Sequence, residues 1–92
     1  MIGSFRHRGL KRFYEDDDAS KLPAEFVHRI HLILTALDAA KCPEDVDVPT
    51  FRLHRLKGQC RGFWAVTVRA NWRITFRFAD GNVLDIDLVD YH

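Results

Sequence analysis

The sequence predicts an α+β domain in which N-terminal helices pack on one face of an antiparallel sheet. Two observations carry the prediction. In the first half Phe26, Ile30, Ile33, Leu34 and Leu37 recur at helical spacing and form one apolar stripe. From Phe51 onward the period changes to two, and the turn signals Ala70-Asn71 and Asp80-Gly81-Asn82 join successive strands into a meander.

The elements follow in order. Residues 2–5 read as a short first strand, and residues 8–15 as a helix with Leu10, Phe13 and Tyr14 on one side. Asp16-Asp17-Asp18 then breaks the pattern and reads as a solvated loop rather than a metal site. The main helix spans residues 23–41. Pro23 suits a first helical position, because its missing N–H would find no partner there anyway, and Pro43 stops the helix. His28 and His31 share a face without a third ligand nearby, so they read as surface histidines. Residues 51–55 form a short strand. Residues 63–69 alternate with Trp64, Val66 and Val68 inward. Residues 72–78 alternate with Trp72, Ile74, Phe76 and Phe78 inward, so Arg73, Thr75 and Arg77 stand on the solvent face. The last strand covers residues 83–89, with Leu84, Ile86 and Leu88 expected on its buried side.

Ninety-two residues make one domain, residues 1–92. No apolar run nears the ~20 residues of a membrane span. The opening Met1-Ile2-Gly3-Ser4-Phe5 runs into charged residues without a signal-peptide core, so a cytoplasmic protein is expected. Cys42 and Cys60 fit neither a CxxC pair nor a zinc knuckle, and read as free thiols.

Charge is unevenly placed. The net charge is only +1, yet residues 48–79 contain no acidic residue while holding Arg52, Arg55, Lys57, Arg61, Arg69, Arg73 and Arg77. Such a one-signed stretch points to an anion-binding surface, and the arginines suit phosphate through their planar fork. Cutting RNA without a metal needs a base for the attacking 2′-hydroxyl, an acid for the leaving 5′-oxygen, and cations for the charge of the transition state. His54 and Lys57 lie inside the basic stretch, Arg69 and Arg73 flank the Ala70-Asn71 turn, and Asp90, Tyr91 and His92 close the sequence. His92 follows the last strand with no polar spacer, so it is expected against the sheet edge. The same cations would equally serve a nucleic-acid-binding module without catalysis.

The run Leu53-His54-Arg55-Leu56-Lys57-Gly58, the stretch Gly62-Phe63-Trp64-Ala65-Val66-Thr67-Val68-Arg69-Ala70-Asn71-Trp72-Arg73-Ile74-Thr75-Phe76 and the closing Asp90-Tyr91-His92 resemble the HigB branch of the RelE toxin superfamily. The opening Phe5-Arg6-His7-Arg8-Gly9-Leu10 resembles it too. The resemblance implies a curved antiparallel sheet packed on helices, as in small microbial ribonucleases. It implies a ribosome-dependent endoribonuclease that cuts mRNA and inhibits translation without a cofactor. It also implies a helix-turn-helix antitoxin of HigA type, whose complex with the toxin binds operator DNA. By the same resemblance the catalytic positions fall on His54, Lys57, Arg73, Asp90, Tyr91 and His92. His54 or His92 serves as base or acid, Arg73 and Lys57 steady the phosphorane, Tyr91 stacks or donates a proton, and Asp90 orients an imidazole. Arg55, Arg61, Arg69 and Arg77 are expected on RNA. Arg55 and Arg61 depart from the family pattern and add cations beside the site. A non-catalytic binding or co-repressor module is the alternative.

Overall fold

His7 starts helix α1 (Arg8–Asp16) by accepting the Leu10 N–H on Nδ1 at 3.2 Å, and Asp17 ends it in the left-handed conformation at φ 56°. The computed structural model describes residues 1–91, excepting the side chain of Cys60. The helix expected over residues 23–41 is divided. Pro23 leads into a 3₁₀ turn, Ala24–Phe26, and α2 (Val27–Ala39) follows. Helix α2 ends earlier than expected because Ala40 is extended and buried. Pro43 opens a second 3₁₀ turn, Pro43–Val46, rather than merely stopping a helix. Phe26, Ile30, Ile33, Leu34 and Leu37 are all buried, as their spacing predicts.

Strands β1 (His54–Arg55), β2 (Trp64–Arg69), β3 (Trp72–Ala79) and β4 (Asn82–Asp90) form one antiparallel meander in that order. The first is shorter than residues 51–55. Arg52 turns left-handed at φ 52°, which swings Phe51 into the core while its carbonyl accepts the Thr67 N–H at 2.8 Å. At the β2–β3 link the left-handed residue is Ala70 (φ 51°), not Asn71. The β3–β4 link puts Asp80 at φ 54° and Gly81 at φ 79°, the paired positive angles of a two-residue hairpin turn.

Residues 2–5 are not a full strand. Ile2 and Phe5 make parallel bridges to Val83 and Ile86, so this segment covers the free edge of β4. Gly3 N–H reaches the Val83 carbonyl at 2.7 Å and Arg6 N–H the Ile86 carbonyl at 2.8 Å. A Cβ at Gly3 would lie 2.6 Å from Leu84 Cδ2, so a larger residue there would push the Leu84 side chain aside.

Leu84 corrects the expected parity of the last strand. Thr75 pairs with Asp87 but Arg77 pairs with Leu84, so β4 holds one extra residue between the two pairs. That bulge centres on Asp85, left-handed at φ 55°, a conformation Asp tolerates better than most residues. Val83, Ile86 and Leu88 are therefore buried, while Leu84 is only half-buried opposite Arg77. The inner sheet face and the helices share one core around Phe76, Leu10, Ile30, Ile33, Leu37, Ile74 and Ile86. Phe26 on the helical side stacks near Trp72 of β3 at 5.7 Å between ring centroids.

Candidate active site

Cross-strand partners share a face of the sheet, so register locates the functional side chains. His54 pairs with Ala65, Ala65 with Thr75, and Thr75 with Asp87, one row across all four strands on the face away from the helices. Thr67, Arg73 and Val89 make the next row. Tyr91 is tied beyond it by its N–H to the Asn71 carbonyl at 2.8 Å.

This face is not simply open, as the strand parity alone suggests. Thr75 is 6% exposed, because the segment between β1 and β2 and the end of the chain wall it in. Arg6, Leu56, Gln59, Phe63, Val89 and Tyr91 surround Thr75 and Asp87 in a pocket of about 210 Å³. A wider hollow of about 480 Å³ is lined by Arg55, Leu56, Lys57, Gly58, Arg61 and Gly62. Leu56 belongs to both, so pocket and hollow adjoin.

The sequence-derived residues divide by what holds them. His54 is exposed, with Nδ1 3.0 Å from the Arg52 carbonyl. An Nδ1–H donated to that carbonyl leaves Nε2 as the free base. Lys57 and Arg61 are exposed at the hollow, and Arg55 also lies over the Trp64 ring at 5.2 Å. Among the described residues no carboxylate lies within ion-pair distance of these three cations. Arg73 folds back on the β2–β3 turn. Its Nη1 donates to the carbonyls of Ala70 and Trp72, while its buried Nε has no hydrogen-bond partner among the described residues. Asp90 ends β4, opposite Trp72, and Tyr91 lines the pocket. His92 lies outside the described residues.

Two expected RNA contacts are already occupied. Arg77 Nε meets Asp85 Oδ2 at 2.7 Å, and Arg69 Nη1 meets Glu25 Oε2 at 3.3 Å. Sequence reasoning did not single out Arg6, Phe63 or Asp87. The Arg6 guanidinium stands 5.0 Å over the Phe63 ring at the pocket, and nothing in its local sequence marks it. Asp87 was legible, because strand alternation puts it opposite Ile86 and Leu88.

Of the other candidates, Asp18 is spent locally. A hydrogen bond from Ser20, helped by Arg12 at 3.1 Å, holds its carboxyl below the usual range. Among the described residues no group of three His, Cys, Asp or Glu is placed to hold a metal, and no helix is long and apolar enough to cross a membrane. Cys42 is a free, exposed thiol.

A four-stranded meander with helices on one face and a basic hollow on the other has the RelE toxin fold. The chain superposes on the YoeB toxin of a YoeB-YefM toxin-antitoxin complex from Staphylococcus aureus with a TM-score of 0.62, covering 100% of this chain and 98% of that one at 17% identity. Residues 3–92 match the family described as RelE-like toxin of type II toxin-antitoxin system HigB, and the chain belongs to that family. It is 45% identical over 92 residues to Endoribonuclease HigB of Proteus vulgaris, covering all of both chains. It is 31% identical over 87 residues to Toxin HigB-1 of Vibrio cholerae serotype O1, covering 92% of each.

Proposed function

We propose that this toxin is an endoribonuclease that cuts mRNA on the ribosome by metal-independent attack of a 2′-hydroxyl on the adjoining phosphorus. The observation that carries the reading is the basic hollow. Arg55, Lys57 and Arg61 stand unpaired among the described residues around a hollow that adjoins the walled pocket, and the sheet face of that pocket also presents His54 and Arg73. The full-length likeness to a protein named endoribonuclease supports it.

In this reading His54 or His92 removes the hydroxyl proton, and the other protonates the leaving 5′-oxygen. Arg73 stabilises the phosphorane. Its Nη1 is spent on the turn and its Nε is buried, so Nη2 is the nitrogen left for a phosphate oxygen. Lys57 neutralises the same or a flanking phosphate. Tyr91 stacks on a base or donates a proton, and Asp90 orients an imidazole. Arg55 and Arg61 hold the strand, Arg69 joins them by releasing Glu25, and Arg77 is the weakest member because Asp85 holds it. The toxin is silenced by a HigA-type helix-turn-helix antitoxin, and their complex sits on operator DNA.

The test is cleavage of end-labelled mRNA with and without programmed ribosomes, comparing the wild type with His92→Ala and Arg73→Ala. Cuts should require ribosomes and fall by about 10²–10⁴-fold in each variant. Folded wild-type protein that binds RNA and never cuts it would instead make the chain a non-catalytic binding or co-repressor module.

A further inference from the structure

The pocket contains a carboxylate that the cleavage chemistry leaves unused. Asp87 stands opposite Thr75, half-buried, and its Oδ1 accepts the Leu88 N–H at 2.9 Å. That bond ties the carboxyl to its own strand. Its second oxygen takes no hydrogen bond among the described residues. An anion is out of place where phosphates must bind, since it repels them. It suits the donor edge of a base.

The surroundings fit a base as well. Phe63, Tyr91, Leu56 and Val89 give flat or apolar walls, and the Arg6 guanidinium lies over the Phe63 ring. At about 210 Å³ the pocket is below the ~300 Å³ at which drug-sized ligand sites begin. It accommodates one ring system and leaves sugar and phosphate outside. Across Leu56 lies the hollow with Arg55, Lys57 and Arg61, which would take the phosphates. Anion and cations are thus set apart along the face, in the order that base and backbone require.

We propose that Asp87 is a specificity-determining residue that accepts a hydrogen bond from the exocyclic amino group of adenine or cytosine and turns away uracil. Uracil presents a carbonyl oxygen where adenine and cytosine present an amine, and a carboxylate repels it. This rests on the nuclease reading above. Asp87→Asn separates the roles. It keeps the shape and the oxygen for Leu88 N–H, but puts a donor where the free acceptor stood.

The experiment measures cleavage on ribosomes programmed with mRNAs carrying each of the four bases in turn at each position of the A-site codon. For the wild type, uracil at one position should slow cleavage roughly tenfold relative to adenine or cytosine. Asp87→Asn should abolish or reverse that ratio while the unfolding temperature stays put. An unchanged ratio, or an equal fall for all four bases, overturns the proposal. A wild type that cuts nothing overturns the nuclease reading instead. The pocket is then judged by NMR titration with adenosine and uridine monophosphates. The adenosine nucleotide alone should move the amides of Thr75, Asp87 and Val89, and equal or absent shifts would refute base recognition independently of cleavage.

Discussion

Removing single cations should change the salt dependence of RNA binding according to their partners, not their number. Each phosphate contact to single-stranded RNA contributes about 0.7 to the slope of log K against log salt. Arg55, Lys57 and Arg61 have no carboxylate at ion-pair distance among the described residues, so they supply a slope of about −2. Raising salt from about 50 to about 200 mM should then weaken the part of binding that these three carry about 20-fold in the wild type and about 7-fold in Arg61→Gln. Arg77→Gln should match the wild type, because Asp85 at 2.7 Å already neutralises that guanidinium. Arg69→Gln should fall between. Its pair with Glu25 is 3.3 Å long, with both side chains about two-thirds exposed (66% and 64%), so the pair is weak and opens readily. The assay is fluorescence anisotropy with a 2′-O-methyl RNA, which cannot be cut. If Arg77→Gln flattens the slope as much as Arg61→Gln, the pairing argument is wrong and Asp85 releases its arginine to RNA.

Arg73→Lys should keep the charge and lose the fork, so the salt slope should hold while cleavage on ribosomes drops about 100-fold; equal cleavage would show that charge alone suffices at that position. Asp85→Ala should cost about 1–2 kcal/mol, from a left-handed backbone no longer tolerated and the lost Arg77 pair. Calorimetry should show a melting temperature lower by roughly 4–8 °C per kcal/mol, with Asp85→Asn milder because Asn accepts the same backbone angle. Asp45 accepts the Lys41 N–H at 2.8 Å and the Cys42 N–H at 3.4 Å, and the Lys41 bond above all holds its carboxyl below the usual range. A depressed carboxyl pKa stabilises the fold above its unfolded value, about 4, and that gain is lost as pH falls through the lower folded value. Urea unfolding should therefore find Asp45→Asn weaker than wild type at neutral pH and indistinguishable from it at the acid end.

The helical stripe and the meander were legible because burial imposes a period, and a period is visible in one sequence. The Asp85 bulge was not, since one extra residue leaves local alternation intact on either side and only shifts its phase, which is how Leu84 came to be expected inside. The acid-free stretch revealed the basic face. It could not reveal that two of its arginines are paired with carboxylates, because Glu25 sits on the helical side and Asp85 on the next strand. The pocket was least legible. Arg6 comes from the opening of the chain and Asp87 and Tyr91 from its end, brought together when residues 2–5 bridge to β4.

The same topology explains how a nearly neutral chain can favour RNA. The net charge of +1 conceals local concentrations of each sign. Glu15, Asp16, Asp17 and Asp38 line a groove of about 540 Å³ between α1 and α2, on the helical side of the sheet. Arg55, Lys57 and Arg61 gather at the hollow beside β1, with Arg73 on the outer sheet face. A uniform positive charge would bring RNA to any part of the surface. The acidic groove repels the backbone and the unpaired cations at the hollow draw it, so encounter already favours the productive orientation. The Arg77–Asp85 pair sharpens this by silencing a cation away from the hollow, which leaves the unpaired charge concentrated where the pocket opens.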